Sequence, residues 1–155
     1  MKNNKDIIQL LLDNGADDNA KDEFGNTPLM CALHYKNNKD IIELLLHNGA
    51  DVKVKDIFGN TPLKFALEYK YNIDIIQLLI DNGACVNAID NHNDTPLILA
   101  LIKKIDKDII ELLLNNGAND DLETLKEKIE ECDYETEMLL FIDEYYYNSM
   151  NYVII

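Results

Sequence analysis

Apolar residues fall along this chain in two patterns, and both recur at an interval of 34 residues. The denser one is a run of isoleucine and leucine broken by a single polar residue, at 7–12, 41–46, 75–80 and 109–114. The sparser one is a stripe of Leu29, Ala32 and Leu33, then Leu63, Ala66 and Leu67, then Leu97, Ala100 and Leu101. Steps of three and four residues place the stripe on one face of a helix. Its repeated alanine predicts a second helix passing close by. The dense run is apolar on almost every side, so it predicts a helix buried between neighbours.

The polar residues between these patterns mark where each helix starts and stops. Thr27, Thr61 and Thr95 precede Pro28, Pro62 and Pro96. A threonine hydroxyl can accept from the free amides of a first turn, and proline is tolerated at the first helical position. Before the dense helix stand Asn4, Asn38, Asn72 and Asp106, all N-cap types, and Asp6, Asp40, Asp74 and Asp108 follow where an acid complements the helix dipole. Gly15, Gly49, Gly83 and Gly117 fall just past its end, where a left-handed residue closes a helix. Between units, Asp22, Asp56 and Asp90 open a turn that Gly25, Gly59 and Asn93 complete. The flanking β-branched stretches suit an extended finger.

The joint pattern D-x-x-G-x-T-P-L-x-x-A followed by I-I-x-L-L-L-x-x-G-A-D resembles the ankyrin repeat over roughly residues 1–119. The Asn-, Lys- and Ile-rich wording is similar to that of ankyrin-repeat proteins of large DNA viruses of protists. The resemblance implies an all-α solenoid of stacked antiparallel helix pairs with projecting β-hairpin-like loops. On this reading, residues 1–21 are a half repeat, 22–55, 56–89 and 90–121 are repeats, and 122–155 form an acidic helical cap and tail. The sequence also departs from the family. Met30, Lys64 and Ile98 replace its usual histidine, and Lys36, Lys70 and Lys104 stand where it places glycine between the helices. Both changes bear on loop geometry rather than on fold. Asn19 and Asn87 occupy positions hydroxylated in related repeats, but Asp18 and Cys85 spoil the surrounding pattern, which leaves a structural role in bonding the finger loop.

The resemblance also implies where a partner protein binds, on the concave face made by finger tips and exposed first-helix positions. In the first full unit these are Glu23, Phe24, Asn26, His34 and Tyr35. The second supplies Ile57, Phe58, Asn60, Glu68 and Tyr69, and the third supplies Asn91, His92, Asp94, Ile102 and Lys103. Phe24, Phe58, Tyr35 and Tyr69 are either anchors for a partner or, for the two phenylalanines, braces between adjacent fingers. The leading expectation is a monomeric adaptor or decoy. The alternative is a structural array fragment that assembles through its half-repeat start and its tail.

Charge and candidate chemistry narrow this further. The net charge is −15, and residues 120–144 carry eleven acids against two lysines. That segment is either a solvated cap, as the end of a solenoid requires, or a dock for a basic partner. All fourteen basic residues are lysine, so the arginine forks and positive clusters of a phosphate-binding surface are missing, and neither nucleic acid nor an anionic membrane is an expected partner. No apolar run is long enough for a membrane span, and the start does not read as a signal peptide. Cys31, Cys85 and Cys132 are an odd number without metal spacing, which predicts reduced thiols and an intracellular, cytoplasmic setting. Cys31 is expected to pack on the core side of its helix, and Cys132 to lie in the cap. The only serine, Ser149, is far in sequence from His34, His47 and His92, and no glycine-rich phosphate loop is present. No enzyme activity, cofactor or metal is expected.

Overall fold

The threonine–proline starts and glycine stops of the sequence divide the chain as they predict. A computed structural model describes residues 4–35, 38–131 and 136–151. Lys36, Cys132 and the tail after Asn151 lie outside the described residues, as does the side chain of Ser149. Within them run nine helices and no strand: α1 (Asn4–Asp13), α2 (Pro28–His34), α3 (Lys39–His47), α4 (Pro62–Glu68), α5 (Ile73–Asp81), α6 (Pro96–Ile102), α7 (Lys107–Asn115), α8 (Leu122–Glu131) and α9 (Thr136–Asn151). Each first helix packs on its own second helix and on the first helix of the next unit, so α2, α4, α6 and α8 form one layer. The second helices lie behind it, with α1 packed on α3 and α5 on α7.

Local chemistry explains the boundaries. The Thr27, Thr61 and Thr95 hydroxyls accept from the backbone amides of Met30, Lys64 and Ile98, at 3.4, 3.4 and 3.1 Å. Gly49, Gly83 and Gly117 adopt φ of 100°, 89° and 89° and end the second helices. The second-helix caps differ from expectation. Asn72 caps α5 through the Ile75 amide, but Asn38 and Asp106 make no side-chain cap bond, and Asn4 is already helical. Asn38 has another task, because its amide donates to the carbonyls of Ala32 and Tyr35 at the C-terminal end of α2. In the next two units the carbonyls of Ala66 and Ala100 accept the backbone amides of Tyr71 and Ile105. That closure needs a left-handed residue, and Lys70 and Lys104 supply it at φ of 52° and 50°. The glycine conformation is kept although the glycine is not.

The finger loops rise from the same economy. Asp56 accepts from the amides of Phe58 and Asn60 through one oxygen and from the Asn60 side chain through the other, at 2.8, 2.8 and 3.0 Å. Asp22 and Asp90 repeat the backbone part of this pattern. Neighbouring tips are tied by backbone bonds, Ile57 amide to Phe24 carbonyl and Asn91 amide to Phe58 carbonyl, both 3.0 Å. A Cβ on Gly59 would come within 2.9 Å of the Asp90 backbone, so contact as well as φ requires glycine there. Deeper in the loops, Asn19 accepts from the Asp51 amide at 2.7 Å, and Asn87 accepts from Asn119 and donates to Gly117. These two asparagines are staples between units.

The core is the sum of these interfaces. Leu29, Leu33, Leu63, Leu97, Leu101, Ile42, Ile76 and Ile110 are buried, and Ala32, Ala66 and Ala100 sit at the close contacts between first helices. The chain closes with α8 in a first-helix position against α6, burying Leu125 and Ile129, while α9 buries Met138 and Ile142. The Lys107 ammonium lies 4.3 Å from the centre of the Phe141 ring, and the Tyr146 hydroxyl donates to the Asp120 carbonyl at 2.6 Å. The opposite end is a correction. The dense run of α1 is not buried between neighbours: Leu11 is 55% exposed, whereas Leu45, its counterpart one unit on, is 2% exposed. A helix with a neighbour on one side only has nothing to cover its other face. For the same reason Cys31, expected to pack in the core, is exposed.

One buried charge stands out. Lys64 is enclosed in α4, where the flanking units carry the apolar Met30 and Ile98. Its ammonium donates to the Asp90 carboxylate and, at 2.7 Å, to the Asp94 carbonyl in the next finger. Burial alone would raise the Asp90 carboxyl, but the Lys64 bond and the amides of Asp94 and His92 outweigh it and hold the group below the usual carboxylate range.

Two expected outcomes follow from these loops and this pair. Lys70→Gly and Lys104→Gly should each stabilise the fold by about 0.5 kcal/mol, because relief of left-handed strain of about 1–2 kcal/mol exceeds the entropy of glycine. Urea unfolding checks this, and a loss of stability in both would show that the lysines contribute other contacts. Lys64→Met should cost about 2–4 kcal/mol by leaving a carboxylate without its cation, and adding Asp90→Asn should recover most of it. Because Asp90 is depressed in the folded state, the stability it contributes is complete above the ordinary aspartate pKa of about 3.9 and is lost as pH falls through its lower folded value. The destabilisation by Lys64→Met should therefore shrink in acid unfolding below that pH.

Candidate groove on the concave face

Between the second and third full units, finger residues and first helices line a groove of 380 Å³. One wall is built by finger residues, Phe58, Asn60, Asp90, His92 and Asp94. The other is built by α4 and α6 and their ends, with Lys64, Phe65, Glu68, Tyr69, Leu99, Ile102 and Lys103. The Asp-turns position the first wall, since each carboxylate folds its tip back over the helix that follows. The second wall is what a short seven-residue helix leaves exposed once its leucines and alanine face the stack.

The helix-one ends are linked in a ladder. His34 Nδ1 and the Tyr69 hydroxyl are hydrogen-bonded at 2.7 Å, with ring centres 4.8 Å apart. One step further, the Lys103 ammonium pairs with Glu68. Both contacts join the last residue of one first helix to the C-cap of the next. Burial first, then the Glu68 charge, pushes the Tyr69 phenol up from its ordinary value, so the hydroxyl stays a neutral hydrogen-bonding group. Together with Lys64 and Asp90, the groove holds its charges as pairs, with the Asp94 carboxylate added at the rim.

The structure places the family-derived contact residues in three groups. Phe58, Asn60, Glu68, Tyr69, His92, Asp94, Ile102 and Lys103 converge on this groove. Glu23, Phe24, Ile57 and Asn91 are exposed on the finger tips outside it. Asn26 and Asn60 turn their amides inward to Asp22 and Asp56, which is scaffold work, and Asn91 donates to the Ile57 carbonyl at 3.0 Å. His34 stays exposed beside Tyr69, whereas Tyr35 takes an extended backbone and lines a different cleft at the N-terminal end. Both Phe24 and Phe58 are exposed rather than enclosed, with Phe58 at 55%.

Sequence reasoning missed Lys64, Asp90, Phe65 and Leu99 as groove residues. A signal for Lys64 was present: a lone lysine inside an otherwise apolar stripe needs an acid nearby. Phe65 and Leu99 share the register of Cys31, and nothing in the pattern separated that position from the core. For catalysis the groove offers a histidine, His92, without a paired nucleophile. Among the described residues no group of three His, Cys, Asp or Glu side chains could hold a metal ion, and no helix is long and apolar enough to cross a membrane.

Comparison of the sequence with protein-family models identifies the repeat. The model of ankyrin repeats, in three copies, aligns with residues 1–56 and 36–124. No curated protein matches the chain. Proteins of this family are generally protein–protein interaction modules. Because that model covers most of the sequence, the chain belongs to the ankyrin-repeat family.

Proposed function

We propose that the protein is a non-enzymatic adaptor or decoy that binds a protein partner in the concave groove between its second and third full units. The observation that carries this reading is the convergence on one groove of side chains that the stack does not need for burial. Phe58 offers a large exposed ring, Tyr69 and His92 offer aromatic edges with hydrogen-bonding atoms, and Ile102 adds an exposed apolar contact. Aromatic side chains in such settings dominate binding energy at protein interfaces. The paired charges supply polar rims without a bare cation that would favour a nucleic acid. Net charge of −15 steers a basic partner more readily than an acidic one. The repeats are read as 22–55, 56–89 and 90–121, with 122–155 closing the array, and the working form as a monomer. A cytoplasmic setting fits the free thiols of Cys31 and Cys85.

The test is affinity capture from the native cell followed by point variants of the groove. Phe58→Ala should weaken capture by about 2 kcal/mol, roughly 30-fold, while moving unfolding stability by no more than about 0.5 kcal/mol. Ile102→Ala should weaken it less and leave melting unchanged. Phe24→Ala, outside the groove, should leave capture intact. Undiminished capture by a Phe58→Ala/Tyr69→Ala double variant would remove the groove from consideration, and a sharp fall in melting for Phe58→Ala would make that ring a finger brace.

A further inference from the structure

The N-terminal end of the stack carries a second cleft, of 340 Å³, between α1, α2 and the start of α3. It is almost wholly apolar and is lined by Ile8, Leu11, Leu12, Cys31, Ala32 and Tyr35. Moved one unit along the chain, the same positions are Ile42, Leu45, Leu46, Phe65, Ala66 and Tyr69. There the site is filled, because α2 lies against α3 and α4. The difference in exposure measures what is missing. Leu11, which lines the cleft, is 55% exposed and its counterpart Leu45 2%, although the two helices are near copies. The cleft thus presents the same apolar positions that α3 and α4 bury against α2 one unit on.

The polar end of the cleft indicates how a helix docked there would start. Asp18 stands in the register of Val52, Val86 and Asp120. In the last full unit, Asp120 accepts from the hydroxyl of Thr95, the cap of α6, at 3.0 Å. In the two units between, a buried valine takes this position and no such bond is made. Asp18 therefore repeats, at the open end, the acceptor that receives a capping threonine at the closed one. A second copy of this chain cannot provide the helix while folded, since Leu29, Leu63 and Leu97 of its three T-P-L helices are fully enclosed.

We propose that this cleft docks a helix of the form Thr-Pro-Leu-x-x-Ala-Leu presented by a partner polypeptide, with Asp18 accepting its threonine hydroxyl. The partner stacks on the end of the array in the way that α2 stacks on α3 and α4. This surface is separate from the concave groove, and binding at one does not require the other.

Two cysteines make the proposal measurable in the unmodified protein, because Cys31 lines the cleft and Cys85 is exposed elsewhere. The probe is a synthetic peptide copying residues 92–104, titrated while the alkylation rate of each thiol is followed by mass spectrometry. The peptide should slow alkylation of Cys31 at least fivefold at saturation and leave Cys85 unchanged. A threonine-to-valine change in the peptide, which cannot disturb the protein's fold, should weaken the half-point severalfold, and Asp18→Ala should remove that difference. A peptide with Leu97→Asp should give no protection. The proposal is overturned if Cys31 reacts at the same rate at millimolar peptide, or if the aspartate peptide protects equally. It is also overturned if the protein alone shows concentration-dependent mass together with self-protection of Cys31, which would make a second copy the occupant.

Discussion

Every feature of this molecule depends on burial supplied by the adjacent unit. A helix that is apolar on nearly all sides cannot be covered by its own partner alone, so each of these isoleucine–leucine runs is fully buried only where a neighbour lies on either side. Burying one leucine fully is worth about 1.5–3 kcal/mol, and several leucines per interface give most of the favourable energy. The hydrogen bonds do a different job. Thr caps, Asp-turns, the Asn19 and Asn87 staples and the tip-to-tip backbone bonds fix the angle and spacing at which apolar surfaces meet. Stability is therefore distributed along one dimension, and the two ends differ from the middle by necessity.

That distribution explains why a functional surface can coexist with so repetitive a sequence. The stack uses the leucines and alanine of each first helix, the threonine and proline at its start, and the aspartate and glycine of each finger. It does not bury the side chains at positions 58, 92 or 102, and at 69 it uses only the hydroxyl, through His34. Where they converge, the groove acquires rings, an imidazole and an isoleucine without any change to the scaffold. The buried Lys64 is the exception, a scaffold position that also shapes the groove through Asp90 and Asp94.

Much of this was legible in the residues, and what was not has physical causes. Helix starts at Thr27, Thr61 and Thr95, and the left-handed turns at Gly49, Gly83, Gly117 and Asn93, followed from side-chain chemistry acting within four residues. Asn38 misled because its backbone is not extended as an N-cap requires and its amide is drawn to the carbonyls of α2; Asp106 has a near-extended backbone and makes no side-chain cap bond, for which the structure shows no cause. The burial of α1 and Cys31 was misjudged because burial belongs to the neighbour as much as to the residue. Of the groove, the family register gave the finger and helix-end positions, but the ladder from His34 to Tyr69 and from Glu68 to Lys103 joins residues 35 apart and depends on how adjacent units stack.

The ion pair of Lys64 also bears on how near-identical units find their order. A chain built of copies risks stacking unit on unit in the wrong sequence, since hydrophobic faces alone scarcely distinguish them. Met30 and Ile98 accept any apolar neighbour, but Lys64 is tolerable only beside a following finger that offers a carboxylate. The third full unit offers Asp90, whereas the C-terminal helix pair has Thr124 in that register. Skipping a unit would leave an ammonium buried without a counter-charge. One lysine thus demands that a finger with its aspartate follow the second full unit, a requirement that the leucines do not encode.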